Sequence, residues 1–199
     1  VDLIVPESDY FENKKEWQRA FEVLKQAVEE HPNESKYLCK LAFLCWYHTS
    51  ESDGDRENLK ESLLDRTLLA CFVEGKKKFS EEVNFLVVFG QMMHLTPYLF
   101  EHESFDYFAI EKLALDYIEK ACILEPDNIF IKLLFLDTRE VTEKSLSEKL
   151  FEGFKKLLNI EKVQEKEYNK LNNKVAHDIS NFGFSGLMLE FCKDMNLPK

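Results

Sequence analysis

Five histidines, with the carboxylates near them, are the side chains best suited to proton transfer or metal ligation: His31, His48, His94, His102 and His177. His94 and His102 lie either side of Pro97, with Glu101 and Glu103 close by. A metal centre on a helix wants a one-face spacing such as His-x3-His, and this pair lacks it. His177 directly precedes Asp178, and the plain reading of that pair is an exposed polar dipeptide late in a helix. Glu51, Ser52, Asp53, Gly54 and Asp55 gather carboxylates around a glycine. A calcium loop needs oxygen ligands at alternate positions, a glycine sixth and a glutamate twelfth. This segment fails that count and reads as a solvated turn. No phosphate-cradling glycine loop, nucleophile elbow or paired-cysteine zinc spacing occurs. The expectation is no catalytic residue, no metal and no cofactor.

The elements that would carry any such groups are helical. Among 199 residues there are only 6 Gly and 5 Pro, too few for the many tight turns of an all-β chain. Apolar residues recur at helical spacing, as in Trp17, Phe21, Leu24 and Val28, and no strand alternation appears. Residues 1–12 have no clear period and read as a short lead-in with a turn of helix after Ser8 or Asp9. Helices are expected at about 14–30, 34–48, 57–74 (closing at Gly75), from a Ser80 cap to Leu95, 105–124 (capped by Ser104) and 127–139. Three more follow at about 146–158, 161–179 and 185–195. The fold class is all-α, about nine helices in one domain spanning 1–199. The units are helical hairpins at 14–48, 57–95, 105–139 and 146–179, with a C-terminal helix at 185–195.

One spacing is written twice: Ala20, Leu24, Ala27, Pro32 and again Ala114, Ile118, Ala121, Pro126. On a helix the first three positions share a stripe; the alanines admit a close neighbour and the proline ends the element. Each copy is followed by a second apolar helix, so Ala20–Leu44 parallels Ala114–Leu136. This resembles the tetratricopeptide repeat family, whose roughly 34-residue helical hairpins stack into a superhelix. The family's pair of leucine and small residue is matched at Leu41-Ala42, and a degenerate version stands at Phe89-Gly90. The copies lie 94 residues apart, longer than two such periods, so the units between them carry extra residues, including 49–56 and 96–104. Leu136 and Leu158 replace a small residue and a proline of the pattern. A non-repetitive helical bundle is the competing architecture. The resemblance implies a right-handed α-α superhelix.

The resemblance also implies a groove lined by the first helix of each hairpin. Anchored on Leu41-Ala42, the lining positions are Lys36, Cys39, Phe43, Trp46 and Tyr47; anchored on Phe89-Gly90 they are Asn84, Gln91 and His94. The hairpin after Pro126 contributes Phe130, Leu133, Asp137 and Glu140. Aromatic anchors among a few polar groups suit a protein partner, although Phe43 and Trp46 read equally well as core. One variant of the family grips a C-terminal carboxylate with lysines and asparagines. Lys36 and Asn84 alone make no two-lysine clamp, so that variant is disfavoured.

Charge narrows the partner. The chain holds 26 basic and 37 acidic residues, a net of −11. Residues 139–199 hold 11 basic against 10 acidic, so residues 1–138 hold 15 against 27, a net of −12. Phosphate backbones call for basic surfaces, so direct nucleic-acid binding is not expected. An acidic surface attracts a basic protein and speeds encounter with it; simple solubility is the bland reading of the same charge. The function expected is a non-enzymatic protein-binding module, and its most specific form is a bacterial immunity protein neutralising a toxic nuclease. The alternatives are a scaffold or regulatory domain of a larger protein, and a helical metal-dependent hydrolase. For the last, His177-Asp178 is similar to the centre of a metal-dependent phosphohydrolase motif whose other ligands find no counterparts at matching spacing.

Five widely spaced cysteines, Cys39, Cys45, Cys71, Cys122 and Cys192, are odd in number, and most sit in apolar helical stretches. They suit a reducing, cytoplasmic compartment. No run of about 18 apolar residues offers a membrane span. Val1 stands without a methionine, which leaves open the removal of a leader.

Overall fold

Pro6 opens a helix in the stretch expected to be a lead-in. Its fixed φ suits the first helical turn, the Asp9 carboxylate accepts from the Val5 N–H at 3.2 Å, and α1 runs Pro6–Asn13. The computed structural model describes residues 4–50, 59–101 and 106–128, with 131, 134, 135 and 138. The helices that follow are α2 (Trp17–Glu30), α3 (Ser35–Ser50), α4 (Glu61–Lys78), α5 (Val83–Leu95) and α6 (Tyr107–Leu124). A short 3-10 turn, Pro97–Phe100, links α5 towards α6. The described elements are thus six α-helices and this turn, with no strand among the described residues. The helices expected at 146–158, 161–179 and 185–195 lie outside the described residues.

Several helix ends differ from their sequence signals. Between α1 and α2 the chain turns through Lys15 at φ 59°, with Lys15 N–H bonded to the Glu12 carbonyl and Glu16 N–H to that of Phe11. That hydrogen-bond pair is a Schellman termination, with lysine in the place glycine prefers. Gly75 does not close α4, which continues to Lys78. Its role is close packing: a Cβ there would lie 2.3 Å from the Phe85 ring and 3.0 Å from Leu38. Ser80 does not cap α5; Glu82 stands at that position without a side-chain cap bond. For α6 the cap is Asp106, whose carboxylate accepts from the Ala109 N–H at 2.9 Å.

Helix pairing follows from the small residues. Antiparallel α3 and α4 meet with Gly75 against Leu38 at one end and Thr49 bonded to Asp65 at the other. Antiparallel α5 and α6 close around Gly90, where a Cβ would lie 2.8 Å from Ile118 and 3.3 Å from the Ala114 carbonyl. The second small-residue stripe therefore receives the glycine of the helix before it, and Ala114, Ile118 and Ala121 are all buried. In the first stripe Ala20 and Leu24 are buried and Ala27 half-buried. At the equivalent place in α4 stand Leu68, Phe72 and Gly75, all buried, 48 residues after Ala20 and 46 before Ala114. The extra length of the 94-residue separation is shared almost evenly between two enlarged units.

Across hairpins, α3 and α5 lie side by side and parallel. Ser35 Oγ bonds the Glu82 carboxylate at their N-terminal ends, and Trp46 Nε1 donates to Thr96 Oγ1 at 2.6 Å at the other. The aromatic centre of the core fills the space behind this pair: Phe72, Phe85, Phe89 and Phe100 are fully buried, and the Phe85 and Phe89 rings are 4.6 Å apart.

Candidate partner-binding face

The residues expected to line a groove fall on the parallel pair α3 and α5. Phe43 and Trp46 are buried, with ring centroids 5.6 Å apart, and the Trp46 indole is fixed by Thr96, whose hydroxyl in turn donates to the Met92 carbonyl at 3.0 Å. Gln91 is 6% exposed, and its carboxamide oxygen has no hydrogen-bond partner among the described residues. Lys36, Tyr47, Asn84 and His94 are half-buried. Lys36 sits 4.7 Å over the Tyr37 ring and 3.4 Å from the Glu34 carboxylate. Its ammonium pKa is raised from 10.5, first by the Tyr37 hydroxyl and then by Glu34, against a pull from burial. Cys39 is fully buried. Phe130, Leu133, Asp137 and Glu140 lie outside the described residues. The structure therefore places the α3 and α5 sets on neighbouring helices, with Phe43, Trp46 and Gln91 buried and Lys36, Tyr47, Asn84 and His94 half-buried.

Three of the described cysteines are buried thiols held in their protonated form. Burial pushes the Cys71 thiol from 9.0 to about 12, and Cys39 and Cys45 are raised well above the same value for the same first cause. Such thiols stay protonated at neutral pH and are poor nucleophiles. His31 stacks on Tyr37 at 4.7 Å and approaches Glu34 at 3.3 Å, an exposed arrangement at the α2–α3 turn. His48 is buried against Trp17 and Tyr47. Among the described residues no three His, Cys, Asp or Glu side chains gather where a metal ion could be held. His102, Glu103, His177, Asp178 and the acidic turn at 51–55 lie outside the described residues. No described helix is long and apolar enough to cross a membrane.

Two features escaped sequence reasoning. The first is a buried ion cluster joining α1 to α3. Lys40, 2% exposed, reaches Asp9 at 2.8 Å and Glu12 at 3.3 Å, and Ser8 Oγ donates to Glu12 at 2.6 Å. The signal was present: a lysine inside the apolar run Leu38–Trp46, and a Ser8/Glu12 pair one helical turn apart. The second is the outer flank of α6, where Phe108 is 77% and Ile123 72% exposed. No family model, curated protein or solved structure matches this chain.

Proposed function

We propose that this chain is a non-enzymatic, tetratricopeptide-repeat-like stack of helical hairpins that binds a basic protein. The observation that carries the reading is the net charge of −12 over residues 1–138, the stretch that contains every described helix. Support for the stack comes from the parallel α3–α5 pair, each followed by its antiparallel companion, and from buried small residues at near-regular spacing. The inert thiols fit a binding role and a reducing, cytoplasmic setting. In its most specific form the partner is a toxic nuclease: an enzyme that handles nucleic acid carries a basic surface, and an acidic protein masks it.

The test is binding of the full chain to purified basic nucleases and to acidic proteins of matched size, followed from about 50 to 500 mM salt. Basic partners should bind, and their affinity should fall steeply over that range as the Debye length shrinks. Salt-insensitive binding, or equal binding to the acidic proteins, would falsify the reading.

A further inference from the structure

The flank of α6 turned away from the core carries three large apolar side chains among its charged ones, where a solvated helix face is usually polar throughout. Phe108, Leu115 and Ile123 stand at 7- and 8-residue intervals along it. At about 100° per residue they fall within an arc of about 80° and span about 22 Å along the axis. Phe108 and Ile123 are largely exposed and Leu115 is half-buried. The opposite face, Ile110, Ala114, Tyr117, Ile118 and Ala121, is the one spent on the core. Large exposed side chains in a row on one helix mark an interaction surface more often than scattered single ones do.

Charge decides what could cover the row. Glu111 borders the arc on one side and Asp116 on the other, with Glu119 and Lys112 within it. From 106 to 127 there are six carboxylates, Asp106, Glu111, Asp116, Glu119, Glu125 and Asp127, against Lys112 and Lys120. Lys120 is turned to the Glu81 carboxylate and the Ser80 carbonyl, away from the row. A second copy of this chain laid face to face would set like charges against each other.

We infer that this flank of α6 is a docking ridge for a basic amphipathic helix of the partner protein, an inference that rests on the basic-partner reading above. The apolar stripe of such a helix covers Phe108, Leu115 and Ile123, while its lysines and arginines meet the bordering carboxylates.

The probe is a fluorescent 18-residue amphipathic leucine–lysine peptide, with its lysine-to-glutamate counterpart as control, titrated into the full chain. The lysine peptide should bind and the glutamate peptide should not. Phe108→Ser and Ile123→Ser together should weaken binding at least tenfold, and Tyr10→Ser, an exposed tyrosine on α1, should leave Kd unchanged. Glu111→Gln with Asp116→Asn should flatten the salt dependence. All these positions face solvent or are half-buried, so the urea midpoint should stay in place and separate lost docking from lost folding. Salt-sensitive binding unaffected by the Phe108 and Ile123 changes would place the docking site elsewhere while leaving the basic-partner reading intact. No binding of the lysine peptide, or equal binding of both peptides, would overturn the ridge, while the basic-partner reading would stand or fall on the nuclease titration. A dimer of the chain alone, dissolved by Phe108→Ser, would assign the ridge to self-association and overturn the inference.

Discussion

The hydroxyl of Tyr117 is buried between α5 and α6 with no hydrogen-bond partner among the described residues, while its ring packs 5.7 Å from Phe85. A buried hydroxyl left unpaired costs about 1–3 kcal/mol. Tyr117→Phe removes the oxygen and keeps the ring, so the urea midpoint should rise by the equivalent of about 1 kcal/mol with an unchanged m-value. A lower midpoint would show that the hydroxyl has a partner in solution. Gly90 gives the opposite expectation. Alanine gains about 1 kcal/mol of helix propensity, but its methyl would press on the Ile118 side chain and on the rigid Ala114 carbonyl. Overpacking costs about 1–3 kcal/mol, so Gly90→Ala should destabilise on balance, read by the same urea titration. The need for a small residue at 90 was legible as the degenerate Phe89-Gly90 pair. The reason for glycine at 75 was not, because a glycine near a run of lysines also reads as a helix terminator.

Helix α1 owes its place to charge as much as to apolar contact. Lys40 is the cation that the buried Glu12 and the part-buried Asp9 face. Replacing it with alanine leaves Glu12 buried without its cation, a change that costs about 3–5 kcal/mol when one partner of a buried pair is lost. Lys40→Ala should therefore release α1 from α3 before the remainder of the fold gives way. Limited trypsin digestion should then cut early at Lys14 and Lys15, and Glu12→Gln in the same chain should slow that cleavage. Unchanged digestion would mean that α1 is held by Val5 and Phe11. At the junction with α2, Lys15 occupies a left-handed conformation that costs a side-chain-bearing residue about 1–2 kcal/mol. Lys15→Gly should raise the melting temperature by a few degrees. These two features explain why α1 was read only as a lead-in with a turn of helix after Ser8 or Asp9. An eight-residue helix offers barely two turns of pattern, and its buried face is made by Ser8 and Glu12, which read as solvated until Lys40 is placed opposite them. Helices α3 and α5 were legible as continuous apolar runs bounded by Pro32 before the first and Pro97 after the second.

The whole chain should lose stability in alkali. Native Cys71 and Tyr117 titrate near 12, above their ordinary values of 9.0 and 10.0, and Cys39 and Cys45 shift the same way. Raised values mean that the native state keeps protons the unfolded chain gives up, so stability is intact below about pH 9 and falls from there towards pH 12. Unfolding titrations between pH 8 and 11 should show this decline, and Cys71→Ala with Tyr117→Phe should make it shallower. The all-helical class was readable from the sequence because it depends on local periodicity, whereas the candidate face depends on which side of each helix meets a neighbour. Hence Phe43, Trp46 and Gln91 lie with Lys36 and Asn84 on two adjacent helices, as their periodicity suggested, yet their depth could not be read. The bonds at both ends of the α3–α5 pair, Ser35 to Glu82 and Trp46 to Thr96, have a further effect. Two helices fastened at one end can scissor, but fastened at both they hold a fixed crossing angle. Any ligand laid over them would meet a crossing angle set during folding, which would leave little ordering of the scaffold to oppose association.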